Sequence, residues 1–267
     1  MSFDTNSGGR RELAAERLER VRSLARERHV VRVEDLCLAL GVSAATARRD
    51  LEELERRGLV NRVHGGAVSA EGRFEEPLFD DKTGQAAVEK RAIAAAALAE
   101  IKSGDTIYLD GGSTVLELAR QLRARTDVTV VTNSLRAAAE LSGQGPRLIV
   151  AGGEFRRLSQ TLIGPLTRLL LEQVNVDKAF MGTIGLSVAD GLTTTDPGEA
   201  FTKELVTQRA ATVFLLADHS KFGRRAMVRA GRLDEINVLI TDRLMDVALG
   251  RELKKAGVRV VETALEN

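Results

Sequence analysis

The chain has 267 residues, 43% of them hydrophobic and 29% charged, and a formal net charge of +1. That length allows a buried core and one or two domains. No apolar run approaches the ~20 residues of a membrane span, the first residues lack the apolar core of a signal peptide, and a lone cysteine, Cys37, excludes a disulfide framework or a multi-cysteine metal site within one chain; a cytoplasmic protein with no metal and no cofactor is expected.

The near-zero net charge hides an asymmetry: residues 1–66 hold 13 arginines and no lysine. Arginine is favoured where phosphates and base edges are bonded bidentately, although a solvated helical surface has the same composition. Residues 1–9 are polar and read as loose. Over 11–28, Ala14, Leu18, Val21 and Ala25 recur on one helical face. "VEDLCLALG" predicts a short second helix stopped by Gly41, with Cys37 as a small core residue in its apolar stripe. "GVSAATARRDLEELERRG" predicts a third helix, capped by Ser43 and stopped by Gly58. On it Ala47, Leu51 and Leu54 face inward. Ala45, Arg49 and Arg56 point away, with Thr46 and Arg48 on the flanks. A small or basic first turn is what a recognition helix needs to enter a major groove. "GLVNRVHGGAV" reads as two strands around a turn, a wing from which Arg62 and His64 project. A winged helix-turn-helix is therefore expected over 10–68, contacting double-stranded DNA through Ser43, Ala45, Thr46, Arg48, Arg49, Arg62 and His64. Single-strand binding is disfavoured, because the only aromatic in this head is Phe3.

Residues 69–84 contain Gly and Pro without a steady period and read as a linker. From 85 to 263, apolar runs alternate with helical patterns, predicting an α/β domain. Strands are expected at 106–110, 128–133, 147–153, 178–183, 212–218, 238–242 and 259–263. Helices are expected at 86–101, 113–124, 134–142, 165–174, 198–210 and 246–256. Right-handed crossovers make the sheet mostly parallel. Asp110, Asn133, Gly152, Gly182, Asp218 and Asp242 fall at C-terminal strand ends, the edge where open α/β sheets bind ligands.

The polar residues at that edge suggest an anion and hydroxyl site. Asp110-Gly111-Gly112-Ser113-Thr114 joins a strand to a helix, whose N-terminus favours an anion. Asn133 and Ser134 offer further hydrogen bonds, or Ser134 caps its helix. Gly152 and Gly153 allow close backbone approach, with Arg156 or Arg157 as a phosphate clamp. Glu199 and Lys203 lie four residues apart on one helix face, where a surface ion pair is the ordinary explanation. In "LADHSKFG", Asp218 and Lys221 follow a strand, and Lys221 is the candidate for direct phosphate contact. Adjacent Asp218, His219 and Ser220 cannot align as a catalytic triad. An isomerase would use a carboxylate base, which Asp110, Glu199 or Asp218 offers. The residues thus leave open a ligand sensor, a sugar-phosphate isomerase with an accessory head, and an architectural protein whose α/β domain only oligomerises; the DNA-binding head favours the sensor.

"GVSAATARRDL" followed by "HGGA" resembles the N-terminal signature of the DeoR family of bacterial transcriptional regulators. "DKAFMGTIGL", "EAFTKE" and "LADHSKFG" resemble the C-terminal sensor domain of that family, and the resemblance runs from about residue 14 to 242. It implies a repressor of carbohydrate genes that answers to a phosphorylated sugar; with the DNA-binding head, a non-catalytic homo-oligomer (dimer or tetramer) reading repeated half-sites is expected. It also implies a sensor fold similar to ribose-5-phosphate isomerase and the coenzyme A transferases, with the stretch around Glu199 and Lys203 bordering the sugar. The chain departs from the family pattern at Ala47, where Ile or Val is usual, and in "DGGST" for "DxGTT"; Lys82 stands where a basic residue is expected near Asp81.

Overall fold

The computed structural model describes residues 14–28, 30–57, 59–63, 65–69, 76–143, 145–244 and 247–263. The expectations for residues 1–9, Gly58 and His64 lie outside them. The chain divides into two compact units, Met1–Gly72 and Arg73–Asn267. No helix among the described residues is long and apolar enough to cross a membrane.

The smaller unit contains α1 (Ala14–Arg28), β1 (Val30–Arg32), α2 (Val33–Leu40), α3 (Ala44–Arg56), β2 (Val60–Val63) and β3 (Gly66–Ser69). The helical stripes converge as their spacing demands: Val21 and Ala25 of α1, Leu36 of α2, and Ala47, Leu51 and Leu54 of α3 share one core, with Leu18 and Cys37 at its margin. Each buried leucine contributes about 1.5–3 kcal/mol. Helix α2 stops where Gly41 takes a left-handed φ of 66° and donates its N–H to the Cys37 carbonyl at 2.9 Å. A charge is buried beside the core as well: Asp50 of α3 accepts two hydrogen bonds from Arg17 of α1, at 2.6 and 3.0 Å.

The wing is present as β2 and β3, paired antiparallel with Arg62 opposite Ala67. Strand β1 was not legible, because three residues carry no period; it adds to the other side of β3. This packing depends on Gly66, where a Cβ would lie 2.1 Å from the Val31 carbonyl oxygen.

The larger unit begins with α4 (Phe79–Gly84) and α5 (Ala87–Ala99), then β4 (Thr106–Leu109), α6 (Ser113–Gln121), β5 (Thr129–Thr132), α7 (Leu135–Leu141) and β6 (Arg147–Val150). A hairpin, β7 (Glu154–Arg156) and β8 (Thr161–Ile163), precedes α8 (Arg168–Leu171) and β9 (Val176–Met181). Then come β10 (Gly185–Ser187), β11 (Gly191–Thr194), α9 (Pro197–Arg209), β12 (Ala210–Leu216), β13 (Val228–Gly231), β14 (Val238–Thr241), α10 (Val247–Lys255) and β15 (Arg259–Glu262). All seven expected strands form one parallel sheet, ordered β15-β14-β12-β9-β4-β5-β6. Alternate residues serve opposite faces. Ile107 and Leu109 pack with α5, α6 and α7, whereas Tyr108 lies in the cluster with α9 and α10. Burial on both faces is why these strands read as continuous apolar runs.

The linker expectation over 69–84 is corrected in its second half. Ser69 ends β3, and α4 belongs to the larger unit with Phe79 and Lys82 buried. A six-residue helix is too short to show a period, and buried charges help to hold this one. The hairpin β7–β8 and the small antiparallel sheet β10-β11-β13 were likewise not foreseen.

Gly66→Ala is expected to destabilise the smaller unit by about 1–3 kcal/mol through overpacking. Hydrogen exchange on the full chain checks this: protection should fall across 30–57 and hold in the sheet of the larger unit.

Candidate functional site

From the pair β4 and β9 the sheet grows outward in two directions, β4-β5-β6 on one side and β9-β12-β14-β15 on the other. Loops leaving strands at such a switch point diverge and open a crevice. Asp110 follows β4 and Gly182 follows β9. One Asp110 carboxylate oxygen accepts hydrogen bonds from the Gly182 N–H at 3.0 Å and from the Lys203 ammonium of α9. Lys203 also donates to the Gly182 carbonyl at 2.9 Å. The strand ends approach so closely that a Cβ on Gly182 would lie 2.9 Å from the Gly111 carbonyl.

The crevice is lined by Asp110, Gly111, Gly112, Ser113 and Thr114, by Asn133 after β5, by Ser159 and Thr161 of the hairpin, and by Gly182, Thr183 and Ile184 after β9. Thr194, Glu199, Lys203 and Lys221 continue the wall, and Glu76 and Lys82 complete it. Helix α6 starts at the crevice from Gly112, whose φ is 120°, with no side-chain cap; its positive end favours an anion. Asn133 donates an Nδ2 proton to a hydrogen bond with the Leu162 carbonyl at 3.0 Å, while its buried Oδ1 has no partner among the described residues. A buried acceptor without a donor is costly, and a ligand hydroxyl would satisfy it.

The cations are committed unequally. Lys203 holds Asp110, and Lys82 holds Glu76 at 2.7 Å. Lys221 lines the crevice with no ion pair among the described residues. Burial pushes its ammonium down to about 8, opposed by Asp218 and reinforced by Arg224, Lys90 and Lys82. Arg156, expected as a phosphate clamp, is taken by carboxylates instead. It contacts Glu76 at 2.7 Å, Glu199 at 3.2 Å and Asp196 at 3.4 Å, with Thr195 and Ser159 hydroxyls at 3.0 and 3.2 Å. Burial pushes the Glu76 carboxyl up, but Arg156, Lys82 and Thr195 outweigh it and hold it at about 2. Glu199 and Lys203 therefore pair with other elements, Arg156 and Asp110, rather than forming the surface pair their spacing suggested.

Four expected ligand residues lie outside the lining. Ser134 caps α7, accepting the Ala137 N–H at 3.2 Å. Gly152 and Gly153 enter the hairpin beyond the edge strand β6, and a Cβ on Gly153 would meet the Ile163 carbonyl at 2.8 Å. Asp218 is buried behind Lys221; one oxygen accepts the Ser220 N–H at 3.0 Å and the other has no partner. A strand-end position alone did not separate residues facing the crevice from those that shape its walls. Glu76, Ser159, Thr161 and Thr194 were missed because they arrive from the supposed linker and from strands too short to read, and Thr183 and Ile184, which follow the legible β9, were not singled out.

In the smaller unit, Ala45, Arg48 and Arg49 are exposed on the first turns of α3 and Thr46 is half-buried. Ser43 accepts the Thr46 N–H at 3.2 Å, so its hydroxyl serves as the cap. Neither Arg48 nor Arg49 has an ion pair among the described residues, which leaves two exposed guanidinium groups in the first half of α3. Arg62 is exposed and reaches Glu52 at 3.0 Å, a surface pair weak enough to exchange for a phosphate.

Two predictions follow from the buried charges. Lys203→Met should cost about 3–5 kcal/mol by stranding Asp110, and Asp110→Asn/Lys203→Met should cost less than that single change; urea unfolding measures both. Glu76 is depressed from 4.5 to about 2, so its contribution is full above pH 4.5 and lost as pH falls through 2. The stability advantage of the wild type over Glu76→Gln should shrink across that window in acid titrations.

Residues 17–73 match the DeoR-like helix-turn-helix domain, and residues 85–243 match the DeoR C terminal sensor domain. The chain is 42% identical to the HTH-type transcriptional regulator GlpR of Haloferax volcanii, over 94% of this chain and 98% of that one. It is 32% identical to a putative aga operon transcriptional repressor of Escherichia coli O157:H7, over 97% of this chain and 98% of that one. A ribose-5-phosphate isomerase solved with phospho-erythronic acid matches at a TM-score of 0.38 and 20% identity, over 50% of this chain and 52% of that one, too distant to bear on function. On the two domain matches and the near full-length relatives, the chain belongs to the DeoR family of transcriptional regulators.

Proposed function

We propose that this protein is a repressor of carbohydrate-metabolism genes whose grip on its operator is set by a phosphorylated sugar in the crevice. One observation carries the ligand half of this reading. An uncapped helix start and an uncommitted lysine, Lys221, share a crevice with an unpartnered acceptor, Asn133 Oδ1. The first two suit a phosphate and the third a sugar hydroxyl. Lys221, Ser113, Thr114 and the backbone at Gly111 and Gly112 hold the phosphate in this reading, and Asn133 holds the sugar. Arg48 and Arg49 on α3 and Arg62 on the wing contact the duplex, in two or more copies of the chain reading repeated half-sites. The sugar is bound without turnover: of the carboxylates an isomerase would use as a base, Asp110 and Glu199 are tied to Lys203 and Arg156, and Asp218 does not line the crevice. Regulation then needs only a difference in ligand affinity between operator-bound and free protein, about 1–3 kcal/mol for typical coupled sites.

A thermal-shift screen against sugar monophosphates, followed by gel shifts with each hit, tests the scheme. A ligand at 100 times its Kd should stabilise the protein by about 2.7 kcal/mol. Lys221→Gln should abolish that shift and leave operator binding intact. Arg49→Ala should do the reverse, weakening operator binding by about 1–3 kcal/mol if it reads a base. Wild-type affinity for the phosphosugar should fall as pH rises through 8, where Lys221 loses its proton, and the Gln variant should lack that slope. Turnover of a sugar phosphate by the pure protein would reject the sensor reading.

A further inference from the structure

Glu76 stands out among the crevice residues. Its side chain is 1% exposed, yet it comes from the short segment that precedes α4. One carboxylate oxygen takes the Lys82 ammonium at 2.7 Å. The other takes Arg156 at 2.7 Å and the Thr195 hydroxyl. No other acidic residue in the lining comes from outside the strand ends and helix α9.

We propose that Glu76 is a built-in competitor for the anion end of the crevice: its carboxylate covers Lys82 and Arg156, and an incoming phosphate reaches those cations by displacing it. The inference rests on the sugar-phosphate reading above. Three arrangements support it. Lys82 and Lys221 line the same crevice, so a phosphate held by Lys221 meets the negative charge already seated on Lys82. Two anions on one small cluster of cations repel, and the weaker-held one leaves. Lys82 loses its partner when Glu76 departs and is then free to bond the phosphate. Arg156 keeps Asp196 and Glu199, so it remains paired with carboxylates after the exchange.

The competitor's position in the chain gives the exchange a consequence. Glu76 lies four residues beyond Gly72, the last residue of the DNA-reading unit. The ligand's own phosphate thus acts on a residue near the start of the larger unit. Competition also sets selectivity. A neutral sugar offers nothing to replace Glu76, and a phosphorylated one does.

Full-length wild type, Glu76→Gln and Glu76→Asp, titrated calorimetrically at pH 7.5 with inorganic phosphate and with a set of sugar monophosphates, test the proposal. Glu76→Gln should bind inorganic phosphate at least fivefold more tightly than wild type, and Glu76→Asp, which keeps the charge, should stay closer to wild type. Added phosphate should lower hydrogen-exchange protection across 76–84 in wild type. If wild type binds and a folded Glu76→Gln binds no more tightly, or if protection there is unchanged, Glu76 is a structural brace and the proposal fails alone. If neither protein binds phosphate or any of the sugar monophosphates, the ligand reading fails and takes this one with it. Should Glu76→Gln not fold, Thr195→Val removes one hydroxyl shared by Glu76 and Arg156 and leaves every charge in place. A roughly twofold gain in phosphate affinity then supports the competitor, and no gain overturns it.

Discussion

The contact on which the larger unit depends is the buried pair of Asp110 and Lys203, closed over the backbone of Gly182. It ties the end of β4, the end of β9 and the middle of α9 at the point where the sheet changes its direction of growth. Such a pair gives little net stability, because both charges are withdrawn from water. Its effect is positional. With Asp110 held on Gly182, the turn from 110 to 114 is pinned, and α6 begins where the crevice is deepest in polar groups. Most of the site's other properties follow from that placement.

Neighbouring charges obey the same rule. Lys82, Lys203 and Arg156 each face a carboxylate in the structure. What distinguishes Lys221 is less its type than its lack of such an ion pair among the described residues. An arginine with five donors beside a glycine-rich turn looks like a phosphate clamp in one dimension, yet Arg156 is surrounded by three acidic residues that come from 76, 196 and 199. Residue type describes what a side chain can bind; long-range pairing decides what it is still able to bind.

That distinction also separates what was legible in the sequence from what was not. The seven parallel strands, the capped recognition helix and the wing were readable because apolar periodicity, Ser43 and Gly41 act locally. Asp110, Gly111, Gly112, Ser113, Thr114, Asn133 and Lys221 line one crevice, as their places at or after strand ends suggested, and Glu199 and Lys203 of α9 join them, as the family resemblance implied. Ser134, Gly152, Gly153 and Asp218 obeyed the same placement and still do not line it. Ser134 had its own helix to cap, and the edge strand β6 leads into a hairpin. Glu76 was hidden for the opposite reason: a stretch with Gly, Pro and no period has the texture of a linker, and only a tertiary charge network, with Lys82 in it, makes part of it a wall. The sequence motif marks the family, whereas the pairing of its charges is a property of the folded chain.

The strand order has a kinetic consequence. On each side of the seam the strands pair largely with sequence neighbours, β4 to β6 in one half and β9 to β15 in the other. Each half is therefore an assembly of comparatively local contacts, and such contacts form faster than distant ones. Asp110 belongs to the first half, while Gly182 and Lys203 belong to the second. The cavity walls do not exist in either half alone; they come into being when the two meet along β4 and β9. Ligand-binding competence should consequently lag behind the gain of helical signal during refolding, arriving with the last large step of assembly.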